Sequence, residues 1–272
     1  MRQRGFTLVE FILVMVLFGI LAIFASQFVG IGSRLYADAN MLERRMSDVR
    51  FSLERLNREV RDAVPGSLRI EDLAGNAALH GPCLRFWPHD SAGRYLDFNH
   101  PVSSAVSSAT PLLRMTMVEP IESEMPQKDW WAIVNPIPYD ENTSLLSNCV
   151  AGNCVSKIET VEGTVSGATS LLLDKPFAAH SSRRRVFFSH SQVLYCLKGA
   201  ELWRAHSDSL DPVALSLSGS TGELMANNLK NGFFYRESGA FAADAEVGLR
   251  FDMTSTDGHV TLDHKMVVWN AP

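Results

Sequence analysis

Between residues 11 and 33 this chain carries no charged side chain, and no proline precedes Pro65. The first absence excludes a water-facing helix over that stretch. As a helix the run measures about 34 Å, enough to cross a bilayer core of about 30 Å. A small-residue cleavage site after a short apolar core is also lacking. Ala22 and Ala25 only imitate one, and the apolar run continues past them, so ordinary secretory cleavage is the poorer reading. A net charge of −5 provides no broad basic surface, which argues against general nucleic-acid binding. No G-x-S-x-G elbow, phosphate-cradling glycine loop or H-E-x-x-H helix occurs, so an enzyme is not expected. His259 and His264 lie five apart in a strand-like stretch, point to opposite faces and make a poor ligand pair. Arg183-Arg184-Arg185 is the one dense basic run. It could touch phosphates of lipid or DNA, but reads first as a solvated turn or a subunit contact.

What is present begins at the N-terminus. Arg2 and Arg4 keep the extreme end cytoplasmic and send the rest of the chain to the other side. Glu10 stands as a lone acid at the start of the span. An ionisable group there costs several kcal/mol without a partner. The nearest partner is a freed α-amine: cutting between Gly5 and Phe6 would leave the ammonium of Phe6 near the headgroups, where Glu10 of a neighbouring subunit could neutralise it. Gly5 suits such a cut because no side chain hinders approach to its backbone.

The helical pattern does not stop at the membrane. Beyond Arg34 the chain is charged and glycine-free to residue 64, with apolar residues at Leu42, Met46, Val49, Leu53, Leu56, Val60 and Val64. Spacings of four and three trace one stripe. Glu54 and Arg58 form an i,i+4 pair on the opposite side, and Pro65-Gly66 ends the helix. Gly30 and Gly32 would loosen it locally near the membrane exit. The stripe runs barely three heptads, so it packs on its own domain rather than in a coiled coil.

Residues 66–272 supply short β-branched and aromatic segments between turn signals: 84–87, 112–118, 130–134, 170–173, 186–189, 192–197 and 201–204. Residues 247–251 and 260–266 alternate in and out around a turn at Thr256-Asp257-Gly258. Residues 100–111 and 135–153 read as loops. The aromatics Trp130, Trp131, Phe233, Phe234, Tyr235 and Trp269 are assigned mostly to the core rather than to an adhesive surface. The fold class expected is α+β, one long helix against antiparallel sheet. The expected divisions are 1–5, a leader; 6–33, a transmembrane and assembly helix; 34–65, an amphipathic continuation; and 66–272, a β-rich head. Cys83, Cys149, Cys154 and Cys196 all fall in the part expected outside the cytoplasm, where disulfides form. Of three possible pairings the preferred one joins Cys149 to Cys154 and leaves Cys83 with Cys196. Zinc is the alternative use, but no second closely spaced ligand pair accompanies Cys149 and Cys154. No cofactor is expected.

Gly5-Phe6-Thr7-Leu8-Val9-Glu10 resembles the prepilin cleavage and methylation motif of type IV pilins and type II secretion pseudopilins. The resemblance implies a pilin-like fold, cleavage after Gly5, N-methylation of Phe6 by a prepilin peptidase, and assembly guided by Glu10. Many major pilins carry a proline within the anchor; this chain has none there. Residues 50–61 with Pro65, 83–88, 193–197, 202–204 and 266–272 further resemble the larger minor pilins, specifically the O-type of mannose-sensitive haemagglutinin (MSHA) pili. Some of these fragments are shared with J-type secretion pseudopilins and W-type minor pilins. That likeness implies a structural subunit of the inner membrane, with a periplasmic head, that primes pilus assembly and ends near the filament tip. Its partners would be prepilin peptidase, other minor pilins, the major pilin, the inner-membrane assembly platform and the lipid bilayer. A tip adhesin and a membrane-anchored enzyme are the rival classes.

Overall fold

A computed structural model describes residues 7–101, 112–118, 125–138, 144–147, 149–165, 168–211, 215, 222–236, 246–255 and 258–268. By internal contacts the chain divides into two compact units, residues 1–47 and 48–272. Helix α1 runs from Leu8 to Arg61, 54 residues, or about 80 Å. It is unbroken through Gly30 and Gly32. Two glycines, at about 1 kcal/mol each relative to alanine, cost too little to break a helix of this length. It stops at Arg61, three residues before the expected end. Val64 N–H leaves the helical pattern to bond Trp87 C=O at 2.7 Å. Gly66 then takes φ +73°, and a Cβ there would sit 2.3 Å from Pro136 O, so the chain turns where only glycine fits.

Fifteen strands follow among the described residues. In chain order they are β1 (Arg69–Glu71), β2 (His80–Gly81), β3 (Cys83–Phe86), β4 (Ser91–Pro101), β5 (Leu113–Met117), β6 (Trp131–Val134), β7 (Val155–Val165) and β8 (Ala168–Leu173). The rest are β9 (Arg185–Ser189), β10 (Gln192–Lys198), β11 (Glu201–Ser207), β12 (Glu223–Ala226), β13 (Leu229–Tyr235), β14 (Glu246–Ser255) and β15 (Gly258–Val267). They form a five-stranded sheet β1-β3-β10-β11-β12, a four-stranded sheet β15-β14-β13-β2, and a closed barrel β4-β5-β8-β7-β6-β9. Every named pairing is antiparallel.

The five-stranded sheet holds the end of α1. Val49, Ser52, Leu56 and Val60 make the buried face, at spacings of three and four. The Ser52 hydroxyl reaches Met225 O on β12, and Glu59 reaches Tyr195 on β10 and Arg204 on β11. The other face of this sheet packs Cys83, Leu194 and Cys196 with Ala205 and Leu215. Strand β10 is buried over six consecutive residues, as a central strand covered on both faces must be. The barrel is filled, not hollow: Tyr95, Phe98, Met115, Met117, Trp130, Leu171 and Phe188 pack among others in its core. Six strands leave no room for a channel once such side chains point inward. Outside it, Phe187 and Ile133 join Val64, Trp87 and the Cys149 and Cys154 pair.

Of the loop expectations, residues 102–111 lie outside the described residues, and His100 and Pro101 instead finish β4. Within 135–153, Pro138 pairs with Cys149 in an isolated bridge. Glu54 and Arg58 both face solvent, and the i,i+4 contact that closes is Arg55 Nε to Glu59 Oε1 at 3.0 Å. Glu59 wins because Tyr195 and Arg204 hold its carboxylate in place.

Candidate functional site

The processing motif sits where α1 begins. Gly5 and Phe6 lie outside the described residues. Thr7 is the first described residue, and its carbonyl accepts N–H bonds from Glu10 at 3.1 Å and Phe11 at 3.3 Å. That makes Thr7 the N-cap, with Leu8, Val9 and Glu10 as the first three helical positions. Thr-x-x-Glu at N-cap and N3 is the capping-box pattern, a signal for the helix start that the sequence reading passed over. A carboxylate in the first turn also complements the positive end of the helix dipole. Glu10 is exposed and has no ion-pair partner among the described residues.

From Leu8 onward the helix presents large apolar side chains to its surroundings, with Leu8 76%, Phe18 70% and Phe28 80% exposed in the isolated chain. No residue in its most apolar 18-residue window is buried. Such a helix cannot be stable in water by itself and requires lipid or other helices around it. Gly19, Ala22, Ser26, Gly30 and Ser33 recur at spacings of three and four, along one side of the helix. A Cβ built at Gly19 or Gly30 meets nothing within 4 Å. Ser26 Oγ donates to Ile23 O at 2.8 Å and Ser33 Oγ to Gly30 O at 3.1 Å, so both hydroxyls are satisfied within the helix. A stripe of this kind lets another helix approach closely in lipid.

Where α1 enters the head, one carboxylate organises the join. Glu59 accepts from Arg55 Nε at 3.0 Å, Arg204 Nε at 3.1 Å and Tyr195 hydroxyl at 3.0 Å. Arg55 also pairs with Glu223 at 3.2 Å. Burial, and after it the Glu59 charge, pushes the Tyr195 hydroxyl well above the ordinary tyrosine pKa, so it remains a donor at every physiological pH. Deeper in the sheet, Arg85 forks onto Glu71 at 2.8 and 3.0 Å and donates to Gln192 Oε1 at 2.6 Å and Leu215 O at 2.9 Å. Glu59, Tyr195, Arg204, Arg85 and Glu71 were not singled out as a set from sequence; they are scattered along the chain and meet only through strand pairing.

Cys83 is bonded to Cys196 across the paired strands β3 and β10, and Cys149 to Cys154 within a short loop. With all four sulfurs in disulfides, none is left as a thiolate for zinc, and no group of three or more metal-ligating side chains occurs among the described residues. His264 lies on β15, half-buried, while the side chain of His259 is outside the described residues. Trp130, Phe234 and Tyr235 are buried, Trp131 and Phe233 half-buried, and Trp269 lies outside the described residues.

Residues 1–26 match the model of the prokaryotic N-terminal methylation motif. No curated protein and no solved structure matches the chain.

Proposed function

We propose that this chain is an O-type minor pilin of an MSHA-like type IV pilus: a non-catalytic subunit that initiates pilus assembly and occupies the filament tip. The N-terminal methylation motif and the single long apolar helix behind it support a type IV pilin-like protein processed by prepilin peptidase. They likewise fit a single-pass membrane anchor, and the antiparallel sheets beyond fit a pilin-like α+β fold. The observation that carries the reading is the union of these parts in one element: a cleavage motif, a lone acid at the third helical residue, and a 54-residue helix whose last turns enter a β-rich head.

In the proposed mechanism residues 6–33 hold the precursor in the inner membrane with its N-terminus cytoplasmic and its head periplasmic. Cleavage after Gly5 frees the Phe6 amine, methylation caps it, and Glu10 docks against the amine of a neighbouring pilin. The small-residue stripe supports close helix packing in that assembly. The O-type assignment is supported by the fragments 83–88 and 193–197, which lie side by side on β3 and β10 and share the Cys83–Cys196 bridge. A J-type secretion pseudopilin would share these fragments; neighbouring genes for pilus rather than secretion components separate the two.

Mass spectrometry of the N-terminal peptide tests the reading, on protein recovered from membranes and sheared filaments of the host. A peptide starting at N-methylated Phe6 in the filament fraction is expected. A chain still starting at Met1 and confined to membrane would refute it. Replacing Gly5 with a large residue is expected to leave the precursor uncleaved.

A further inference from the structure

We propose that β15 is a self-recognition edge: two copies of this chain pair their β15 strands antiparallel, about a two-fold axis at His264, and join two four-stranded sheets into one. Among the described residues β15 is the outermost strand of its sheet, ten residues long and paired to β14 at ten positions without a register shift. The other sheet edges are short: β2 has two residues, β1 three and β12 four, and the barrel closes on itself. On β12 the Ser52 hydroxyl already occupies Met225 O. A long, regular edge strand presents a row of backbone N–H and C=O groups that a further strand can use.

Side-chain exposure shows the edge to be open. Register places Val260, Leu262, His264 and Met266 opposite Met253, Phe251, Leu249 and Val247, so all of these share one face of the sheet. The four on β14 are buried, whereas Val260 is 44% exposed and Leu262 and His264 are half-buried. The covered face therefore runs out at β15 with its apolar stripe unfinished. On the opposite face Thr261, Asp263, Lys265 and Val267 are exposed. Charges on an edge ordinarily repel an added strand. Here each is matched within its own sheet, Asp263 by Arg250 and the Tyr235 hydroxyl and Lys265 by Glu246 at 3.3 Å. None of the β15 residues on the covered face is a lysine, arginine or carboxylate.

The order of residues along β15 selects the occupant. Read outward from His264, the strand is complementary to its own reverse: Asp263 meets Lys265, Leu262 meets Met266, Thr261 meets Val267, and His264 meets itself. Opposite charges and apolar pairs directly across an antiparallel ladder each stabilise it, and a two-fold axis makes every such pairing twice. Centring on one residue also keeps the covered faces of both sheets on the same side. A slip of one position would set Lys265 against Leu262 and Met266 against Thr261, and break that continuity. A strand of unrelated sequence could use the backbone groups but has none of this reciprocity. One strand from each copy buries less than a standard interface, so the pair is weak and reversible. The inference concerns the head and does not depend on the subunit role proposed above.

The test uses the full chain in detergent micelles, as an equal mixture of natural-abundance and heavy-isotope protein, treated with a carbodiimide that condenses an amine with a touching carboxylate. Peptides joining Lys265 of one isotope to Asp263 of the other are expected. Sedimentation equilibrium should show monomer and dimer exchanging between about 10 µM and about 1 mM. K265E sets like charges opposite each other twice per pair and should weaken the dimer about tenfold or more. K265Q removes the attraction without adding repulsion, so it should fall between K265E and wild type. K230E makes the same charge change at an exposed position on β13 and should leave the dimer unaltered. A chain that stays monomeric to about 1 mM would overturn the proposal, even if it captured an extended peptide of another sequence. So would a dimer that is unchanged in K265E and lacks the 263–265 cross-link, which would assign the contact to the apolar helix.

Discussion

Two disulfides close loops of very different length in the same head, so removing each in turn makes an internal comparison. Cys83–Cys196 joins residues 113 apart and Cys149–Cys154 residues 5 apart. The chain-entropy estimate for the unfolded state gives about 4.8 kcal/mol for the first closure and about 2.1 kcal/mol for the second. The short loop lies within the long one and shortens it too little to alter the logarithm. All four cysteines are buried, so replacing either pair by alanine removes similar packing, and subtraction cancels most of that loss. The C83A/C196A chain should therefore be less stable than C149A/C154A by about 2.7 kcal/mol. For a unit spanning residues 48–272 that corresponds to roughly 5–11 °C in Tm. Urea unfolding in detergent micelles, followed by tryptophan fluorescence, reads it as a difference in unfolding free energy, with m fitted for each variant because loss of the long bridge expands the unfolded chain. Equal free energies, or a larger loss from the short bridge, would refute the loop-length argument. Free thiols at these positions in protein taken from the host would refute the oxidising compartment that motivates it.

Two further predictions concern the head. Leu56→Ala, at a fully buried position on the sheet side of α1, should cost about 2–5 kcal/mol. Phe51→Ala, 63% exposed one and a half turns earlier, should change stability by less than about 0.5 kcal/mol; similar costs by chemical denaturation would mean that the buried face is misassigned. Asp263 has its pKa lowered by the Tyr235 hydroxyl and by Arg250, whose Nε lies 3.0 Å away. A folded pKa below the unfolded value of about 3.9 stabilises above that value, and the contribution fades as pH falls through the folded one. The β14–β15 hairpin should therefore lose hydrogen-exchange protection below about pH 4, and Asp263→Asn should flatten that dependence. An unchanged pH profile in the variant would remove Asp263 from the account.

The helix was legible because its signals are local: an uncharged run, then apolar residues every three or four positions. Its end was less so, since Val64 still fits the apolar stripe, and only the bond to Trp87 takes it out of the helix. Strands β3, β10, β14 and β15 announce themselves by β-branched and aromatic residues. The barrel does not. Its closure depends on β9 pairing with both β4 and β6, joining Ser91 to Phe188 and Trp131 to Ser189, and no local pattern encodes such partners. Strand β4 contains Gly93, Asp97 and Asn99, residues that favour turns. Asn99 takes φ +64° at a register shift, so the composition reflects an irregular strand rather than a loop. The Arg85–Glu71 pair was hidden for a different reason: charge reads as surface, and only two-pronged pairing makes its burial tolerable.

Glu10 is the residue where local structure and proposed assembly make separable demands. At N3 of the Thr-x-x-Glu pattern it suits the start of α1, and glutamine suits that pattern about as well as glutamate. As the docking group it must be an anion, because only charge can neutralise a neighbouring ammonium at the membrane boundary. Glu10→Gln should thus leave α1, membrane insertion and cleavage after Gly5 intact, while the protein fails to enter filaments. Glu10→Ala should lose both, at a cost of about 0.3–1 kcal/mol confined to the first turn of a helix of 54 residues and too small to release the anchor. The decisive measurement is the ratio of processed protein in sheared filaments to processed protein in membranes. Equal low ratios for the two variants, with cleavage unchanged, would assign the defect to lost charge. A glutamine variant that enters filaments like wild type would leave Glu10 as a helix cap and remove the charge-docking step from the mechanism.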